Sequence, residues 1–143
     1  MNISQILKAK GRAVATARPD ATLSEIISRL AQKRIGAIVI VGDAGEVVGI
    51  VSERDVIRRL GERGEAALKE PVSQSMTSSV ISCQETSTLE EMMELMTQGR
   101  FRHVPVIEDG ALVGIVSIGD IVKHHVAEVE MEVTAMRDYF ATG

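Results

Sequence analysis

Gly49-Ile50-Val51-Ser52-Glu53-Arg54-Asp55 returns later in the chain as Gly114-Ile115-Val116-Ser117-Ile118-Gly119-Asp120, identical at five of the seven positions. Asp120 lies 65 residues after Asp55. Upstream, Thr22-Leu23-Ser24-Glu25 returns as Thr88-Leu89-Glu90-Glu91, 66 residues on. The one-residue difference falls in a turn. Val41-Gly42-Asp43-Ala44-Gly45-Glu46 in the first copy becomes Ile107-Glu108-Asp109-Gly110-Ala111 in the second. An indel in a turn leaves strand register intact, so turns are where two copies of one fold should differ. The chain is a tandem repeat, with two copies of about 60 residues each.

Each copy reads as strand, helix, strand, strand, helix. Val14 to Ala17 and Val80 to Cys83 are short extended segments. The Thr-x-x-Glu that follows is a capping box. The threonine oxygen accepts a hydrogen bond from the backbone N–H three residues on, and the glutamate reaches back. Behind it, Leu23, Ile26, Ile27 and Leu30 recur at helical spacing, as do Leu89, Met92, Met93 and Met96. Ala37 to Val41 and Val104 to Ile107 are continuous apolar runs, the pattern of buried strands. Turns lead from them to Val47 to Val51 and Leu112 to Val116, making hairpins. Ser52 and Ser117 then start a second helix. One copy of this size buries little, so the two are expected to cover each other's apolar faces about a pseudo-twofold axis.

The boundaries that follow are an N-terminal helix over 1–12, a first repeat over 13–62, a linker over 63–75, a second repeat over 76–125 and a C-terminal helical extension over 126–143. Gly61, Gly64 and Pro71, with charges between, mark the linker. Ile3, Ile6 and Leu7 form one apolar stripe, and Val126, Val129 and Val133 another. Both stripes are expected to be buried, partly across a dimer interface.

The 143 residues are 45% hydrophobic and 25% charged, the balance of a folded globular protein. No apolar run approaches ~18 residues, so no membrane-spanning helix is expected. Met1 to Lys10 lacks the apolar segment of a signal peptide. The single cysteine, Cys83, cannot form an internal disulfide, which fits a reducing cytoplasm. A net charge of −4 argues against a nucleic-acid binder. With only Phe101, Tyr139 and Phe140 as aromatics, base-stacking platforms are nearly excluded as well.

A pair of strand-helix-strand-strand-helix repeats, each ending in Gly-h-x-Ser-x-x-Asp (h apolar), resembles the CBS domain pair, or Bateman module. The resemblance runs from Ala13 to Lys123, and Arg102-His103-Val104-Pro105-Val106 is similar to that family's strand before the hairpin. It implies an α/β (α+β) fold in which the two repeats pack together, with the extra terminal helices outside them. It also implies a stand-alone pair, with no attached enzyme or channel. Adenosyl ligands (AMP, ADP, ATP, NAD or S-adenosylmethionine) would bind in two clefts between the copies.

Ser52-x-x-Asp55 and Ser117-x-x-Asp120 admit two readings. One is a further capping box with aspartate in place of glutamate. The other is ribose recognition, in which the carboxylate accepts from two vicinal hydroxyls and the serine adds a contact. Free N–H groups at the helix N-terminus would then face a phosphate. The resemblance implies the second reading at both positions.

Arg100-Phe101-Arg102-His103 leads into a buried strand of an acidic protein, and arginine offers a fork for phosphate oxygens. A solvated basic edge is the plainer alternative. Strand alternation puts Arg100 and Arg102 on one face and His103 on the other. A bulge or twist before Pro105 would turn Arg102 and His103 toward one cleft. The resemblance implies that these two lie near ligand phosphates, where the clefts approach each other. Their first-copy equivalents, Gly36 and Ala37, are uncharged, so phosphate contacts are expected mainly from the second copy.

Arg54 sits inside the motif where the second copy has Gly119, so the Asp55 cleft favours an extra phosphate and the Gly119 cleft is roomier. Arg58 and Arg59 read as a solvated helix face. Lys123, one turn beyond Asp120, is either a phosphate contact or simply exposed. By the family pattern, Ala15 and Ile35 line the Asp120 cleft for adenine, and Ile81 and Phe101 line the Asp55 cleft. Plain core is the equal alternative for Ala15, Ile35 and Ile81.

These residues point to a non-enzymatic adenine-nucleotide sensor. It would bind AMP, ADP, ATP or NAD, change shape or assembly, and signal to a protein partner, as a homodimer. The alternatives are a structural dimerisation module with vestigial clefts, or an S-adenosylmethionine sensor. An enzyme is disfavoured because no nucleophile–base pair at recognisable spacing, Walker loop or metal cluster is present, and without Gly-x-Gly-x-x-Gly any NAD would bind without a Rossmann fold. No catalytic cofactor or metal is expected. His124 and His125 are adjacent on a helix, about 100° apart, and chelate poorly.

Overall fold

Thr22 and Thr88 start helices as their spacing predicts. In the computed structural model, which describes residues 1–142, α1 spans Ile3–Lys10 and α2 spans Leu23–Lys33. Helix α3 covers Glu53–Arg63, α4 covers Leu89–Gly99 and α5 covers Ile118–Thr142. The Thr22 and Thr88 hydroxyls accept from the Glu25 and Glu91 N–H groups at 3.2 and 3.1 Å. The two glutamates reach back to the threonine N–H groups. Both helices also end alike. Arg34 and Arg100 take left-handed backbone, with φ of 52° and 56°, and turn the chain into the next strand.

The first sheet has the order β1 (Thr16–Ala17), β2 (Ala37–Val41), β3 (Val47–Ser52), with β1 parallel to β2 and β3 antiparallel. In the second, β4 (His103–Glu108) pairs antiparallel with β5 (Ala111–Ser117). The four-residue strand expected at Val80–Cys83 is one parallel bridge from Cys83 to Val106. Cys83 N–H donates to the Pro105 carbonyl at 3.0 Å, and Ile107 N–H donates to the Cys83 carbonyl at 2.9 Å. Val80 and Ile81 leave the sheet to line a cleft between the repeats. The register shift in β4 comes after Pro105, between Val106 and Ile107, rather than before it.

The two repeats exchange arms. Ile3, Ile6 and Leu7 of α1 are buried, but in the core of the second repeat, with Leu89, Met92, Val104, Val116 and Ile121. Their burial is therefore complete within one chain, which corrects the expectation of a dimer interface at this stripe. In return, the segment before the second repeat packs on the first. It is not an open linker. Two 3-10 turns, Gly64–Lys69 and Val72–Gln74, carry Ala67 and Val72 into a core with Leu23, Ile26, Ile38, Ile40 and Val51. Arg59 and Arg63 hold Glu70 at 2.7 and 2.9 Å and fasten this arm to α3.

Several hydrogen bonds of the two arms correspond. Leu23 N–H donates to the Glu70 carbonyl, and Leu89 N–H to that of Met1. Val72 N–H donates to Ala21 and Ile3 N–H to Ser87. The arms also explain the glycine that opens each repeated motif. A Cβ on Gly49 would lie 2.5 Å from the Met76 sulfur, and one on Gly114 would lie 2.7 Å from a Leu7 methyl. Each arm needs that glycine in order to lie across its strand.

Helix α5 passes through the expected 125/126 boundary without a break. Val126, Val129 and Val133, expected to be buried, are exposed in the single chain. No helix among the described residues is long and apolar enough to cross a membrane.

Candidate functional site

Asp55 and Asp120 sit one turn inside α3 and α5, where the motif serine ends the preceding strand. Both make the capping contacts. Asp55 Oδ2 accepts from Ser52 N–H at 2.8 Å and from the Ser52 hydroxyl at 3.1 Å. Asp120 Oδ2 accepts from Ser117 N–H at 2.8 Å and from the Ser117 hydroxyl at 3.0 Å. Neither cap uses Oδ1. A carboxylate has acceptor sites on both oxygens, so capping and ligand binding do not exclude each other.

Asp55 opens onto a cleft of about 290 Å³ built by both repeats. The first repeat contributes Ser52, Arg54, Asp55 and Arg58; the second contributes Ile81, Arg100, Phe101, Arg102 and His103. Eight of the sixteen residues singled out in the sequence meet here: Ser52, Arg54, Asp55, Ile81, Arg100, Phe101, Arg102 and His103. The route to that grouping differs from the expected one. Arg100 is the left-handed cap of α4 and β4 begins only at His103, so Arg100 and Arg102 are not strand neighbours. The chain reversal after α4 still brings both to the cleft. Arg58 is on the solvated face expected of it, 68% exposed, and also lines the cleft, with its Nη1 3.5 Å from Asp55 Oδ1. Four arginines therefore line one hollow that also carries Glu53 and Asp55.

The other eight residues, Ala15, Ile35, Gly36, Ala37, Ser117, Gly119, Asp120 and Lys123, lie outside this cleft. Ala15 and Ile35 pack against the first core, and Ala37 is buried. Ile35 and Gly36 also line an open hollow of about 500 Å³ between α2 and α3. Gly36 leaves room for the His103 ring, whose Cε1 and Nε2 are 3.0 Å from where a Cβ would stand. His103 is thus one point where the two copies touch. Burial pushes its pKa down, against the pull of the Glu53 and Asp120 carboxylates and with the help of Lys10 and Arg102. The neutral imidazole is favoured, and it can both donate and accept.

Lys10 is the residue that sequence reasoning missed. Its ammonium donates to Asp120 Oδ2 at 2.7 Å and to the Ile115 carbonyl at 3.0 Å. The two partners are 110 residues apart in sequence, and only the arm exchange brings them together. Burial alone would raise the Asp120 pKa. The Lys10 hydrogen bond and those from Ser117 outweigh it and hold the carboxyl below its ordinary range. A carboxyl lowered in this way stabilises the fold above its unfolded pKa, and that contribution is lost as pH falls through the folded value. Lys10→Met should therefore cost about 1 kcal/mol at neutral pH, and the deficit should vanish once Asp120 is protonated in acid. Urea denaturation of both proteins across that range measures it. A deficit independent of pH would assign Lys10 a packing role only.

Cys83 is buried, and that burial, with Glu108 nearby, pushes its thiol up to about 12. It is an inert core residue. The described residues contain no group of three or more metal-binding side chains.

Residues 10–62 and 72–127 match the family model of the CBS domain. The chain is 32% identical over 149 residues to the CBS domain-containing protein CBSX3, mitochondrial, of Arabidopsis thaliana, covering 99% of this chain and 72% of that protein. The crystal structure of the CBS-domain containing protein ATU1752 from Agrobacterium tumefaciens is similar at 46% identity and a TM-score of 0.83, covering 85% of this chain and 91% of that one. Protein PAE2072 from Pyrobaculum aerophilum, complexed with AMP, is similar at 30% identity and a TM-score of 0.75, over 84% and 89% of the two chains. The CBS domain pair of protein MJ0100, in complex with 5′-methylthioadenosine and S-adenosyl-L-methionine, is similar at 25% identity and a TM-score of 0.80, over 90% and 98%.

Proposed function

This chain belongs to the CBS domain family, and from that premise we propose that it is a non-enzymatic regulatory module that binds an adenine nucleotide between its two repeats. The observation that carries this reading is the Asp55 cleft, where both repeats supply complementary parts. Asp55 Oδ1, which the cap leaves unused and the exposed Arg58 guanidinium approaches only to 3.5 Å, suits the ribose hydroxyls. Ile81 and Phe101 offer apolar walls to adenine. Arg54 and Arg102, beside the N-terminus of α3, suit a phosphate. The AMP bound by the Pyrobaculum protein supports the same ligand class here.

Two features of the cleft favour AMP, or a related mononucleotide such as ADP or ATP. Its volume, about 290 Å³, sits at the small end of ligand pockets and suits a mononucleotide better than NAD. Its guanidinium groups favour an anionic phosphate over the cationic sulfonium of S-adenosylmethionine. The reading extends to a homodimer, in the cytoplasm, whose ligand-dependent change is read by a protein partner.

Calorimetric titration of AMP and adenosine into the parent protein and Arg102→Ala tests it. Arg102→Ala should weaken AMP roughly tenfold and leave adenosine nearly unchanged, because only AMP carries the phosphate. Equal losses for both ligands would withdraw the phosphate role. No binding of either ligand to the parent protein would leave a structural module with vestigial clefts.

A further inference from the structure

Helix α5 keeps an apolar stripe that nothing in the chain covers. Val122, Val126, Val129, Val133, Met136 and Phe140 are each between 42% and 72% exposed. Their spacings are four, three, four, three and four, an unbroken heptad pattern of d and a positions. From Met131 onward every described residue of the helix is exposed. An isolated helical end of this length is marginal in water, so a partner face is needed to hold it. A strict 3.5-residue stripe fits another helix with the same repeat.

We infer that α5 pairs with α5 of a second copy of this chain as a parallel two-stranded coiled coil. The flanking charges select both the partner and the direction. In the parallel arrangement each g residue faces the e residue five positions on in the other helix. His125 then meets Glu130 of the second copy, and Glu132 meets Arg137 of the second copy. The antiparallel arrangement over the same stripe sets Lys123 against Arg137, Glu130 against Glu130 and Glu132 against Glu132. Every charged pair is opposite in sign, or histidine with glutamate, in the first case, and like in the second.

This inference deepens the homodimer reading and does not depend on the ligand. The test uses the full chain with Met136→Cys, mild oxidation, and sedimentation velocity. Cys83 stays in place because it is buried and its thiol is unreactive. The parallel coil puts the two introduced thiols side by side, so the variant should form an interchain disulfide nearly quantitatively. In the antiparallel coil they would be about 15 Å apart along the axis. The pair Val129→Glu with Val133→Glu should weaken the dimer at least a hundredfold while the repeats melt as before. A disulfide forming only in the Val126→Cys, Met136→Cys double variant would overturn the orientation. A dimer indifferent to the two glutamates would overturn the coil and keep the homodimer. A monomer at all concentrations would overturn both.

Discussion

Ile6→Ala should destabilise the whole protein by about 2–5 kcal/mol, although it lies in a terminal helix of only eight residues. Ile6 is fully buried, and its neighbours in the core come from the second repeat, more than eighty residues away. Truncation there opens a cavity among Leu89, Val104, Val116 and Ile121, which belong to elements that cannot close over it without moving. Because the second repeat's arm is supplied by the N-terminus, and the first repeat's arm by the connecting segment, both repeats should unfold in one transition. Urea denaturation followed by circular dichroism reads both quantities. A control at exposed Lys8 (Lys8→Ala) should change little. A loss under 1 kcal/mol, or two separate transitions, would mean that α1 is a loosely attached appendage.

Removing the Asp55 carboxylate should cost AMP affinity ten- to a hundredfold, about 1.5–3 kcal/mol. Two variants separate the roles of this side chain. Asp55→Ala removes both the cap of α3 and the proposed ribose acceptor. Asp55→Asn keeps an oxygen for the Ser52 N–H and loses the charge. The alanine variant should bind weakly and also melt lower, by the ~1 kcal/mol of a lost cap. The asparagine variant should retain most of the stability and still bind weakly. If both bind AMP as the parent does and only their melting falls, Asp55 is a cap alone and the ribose assignment fails.

Much of this architecture was written in local signals. The duplicated Gly-Ile-Val-Ser motif, the Thr-x-x-Glu caps and the apolar strand runs are short-range patterns, and short-range patterns specify element type well. They also identified every second-repeat side chain at the Asp55 cleft that carries charge, because those residues cluster just before β4. What they could not show was partnership. The spacing of Ile3, Ile6 and Leu7 announces a buried face without naming what buries it. Lys10 looks like any exposed lysine until the arm exchange sets it beside Asp120. Gly61, Gly64 and Pro71 read as a linker, yet between and beyond them Ala67 and Val72 are core residues. Arg100 was placed on a strand because alternation was the only available rule. The left-handed turn that ends α4 follows from packing, and a non-glycine residue there leaves no sequence mark. One faint signal was present: Val72-Ser73-Gln74 echoes Ile3-Ser4-Gln5, and the two triplets turn out to hold matching places in the two arms.

The crossed arms also set an order for assembly during synthesis. Helix α1 leaves the ribosome before either repeat, but the surface it covers, from Leu89 to Ile121, is made more than eighty residues later. At ~5–20 residues per second, its apolar face waits several seconds for a seat. The first repeat waits as well, until Ala67 and Val72 have emerged to close its core. The first repeat is thus unfinished when its own last strand is made, and until Val72 emerges the nascent chain carries two open apolar faces at once. The long-range pairing of Ile3 with Ser87 and of Lys10 with Asp120 can form only after those later residues have emerged, and it raises the contact order of an otherwise local fold. A chain severed between the repeats would leave each half lacking the arm that the other half carries, so the two fragments would be complementary parts of one folding unit.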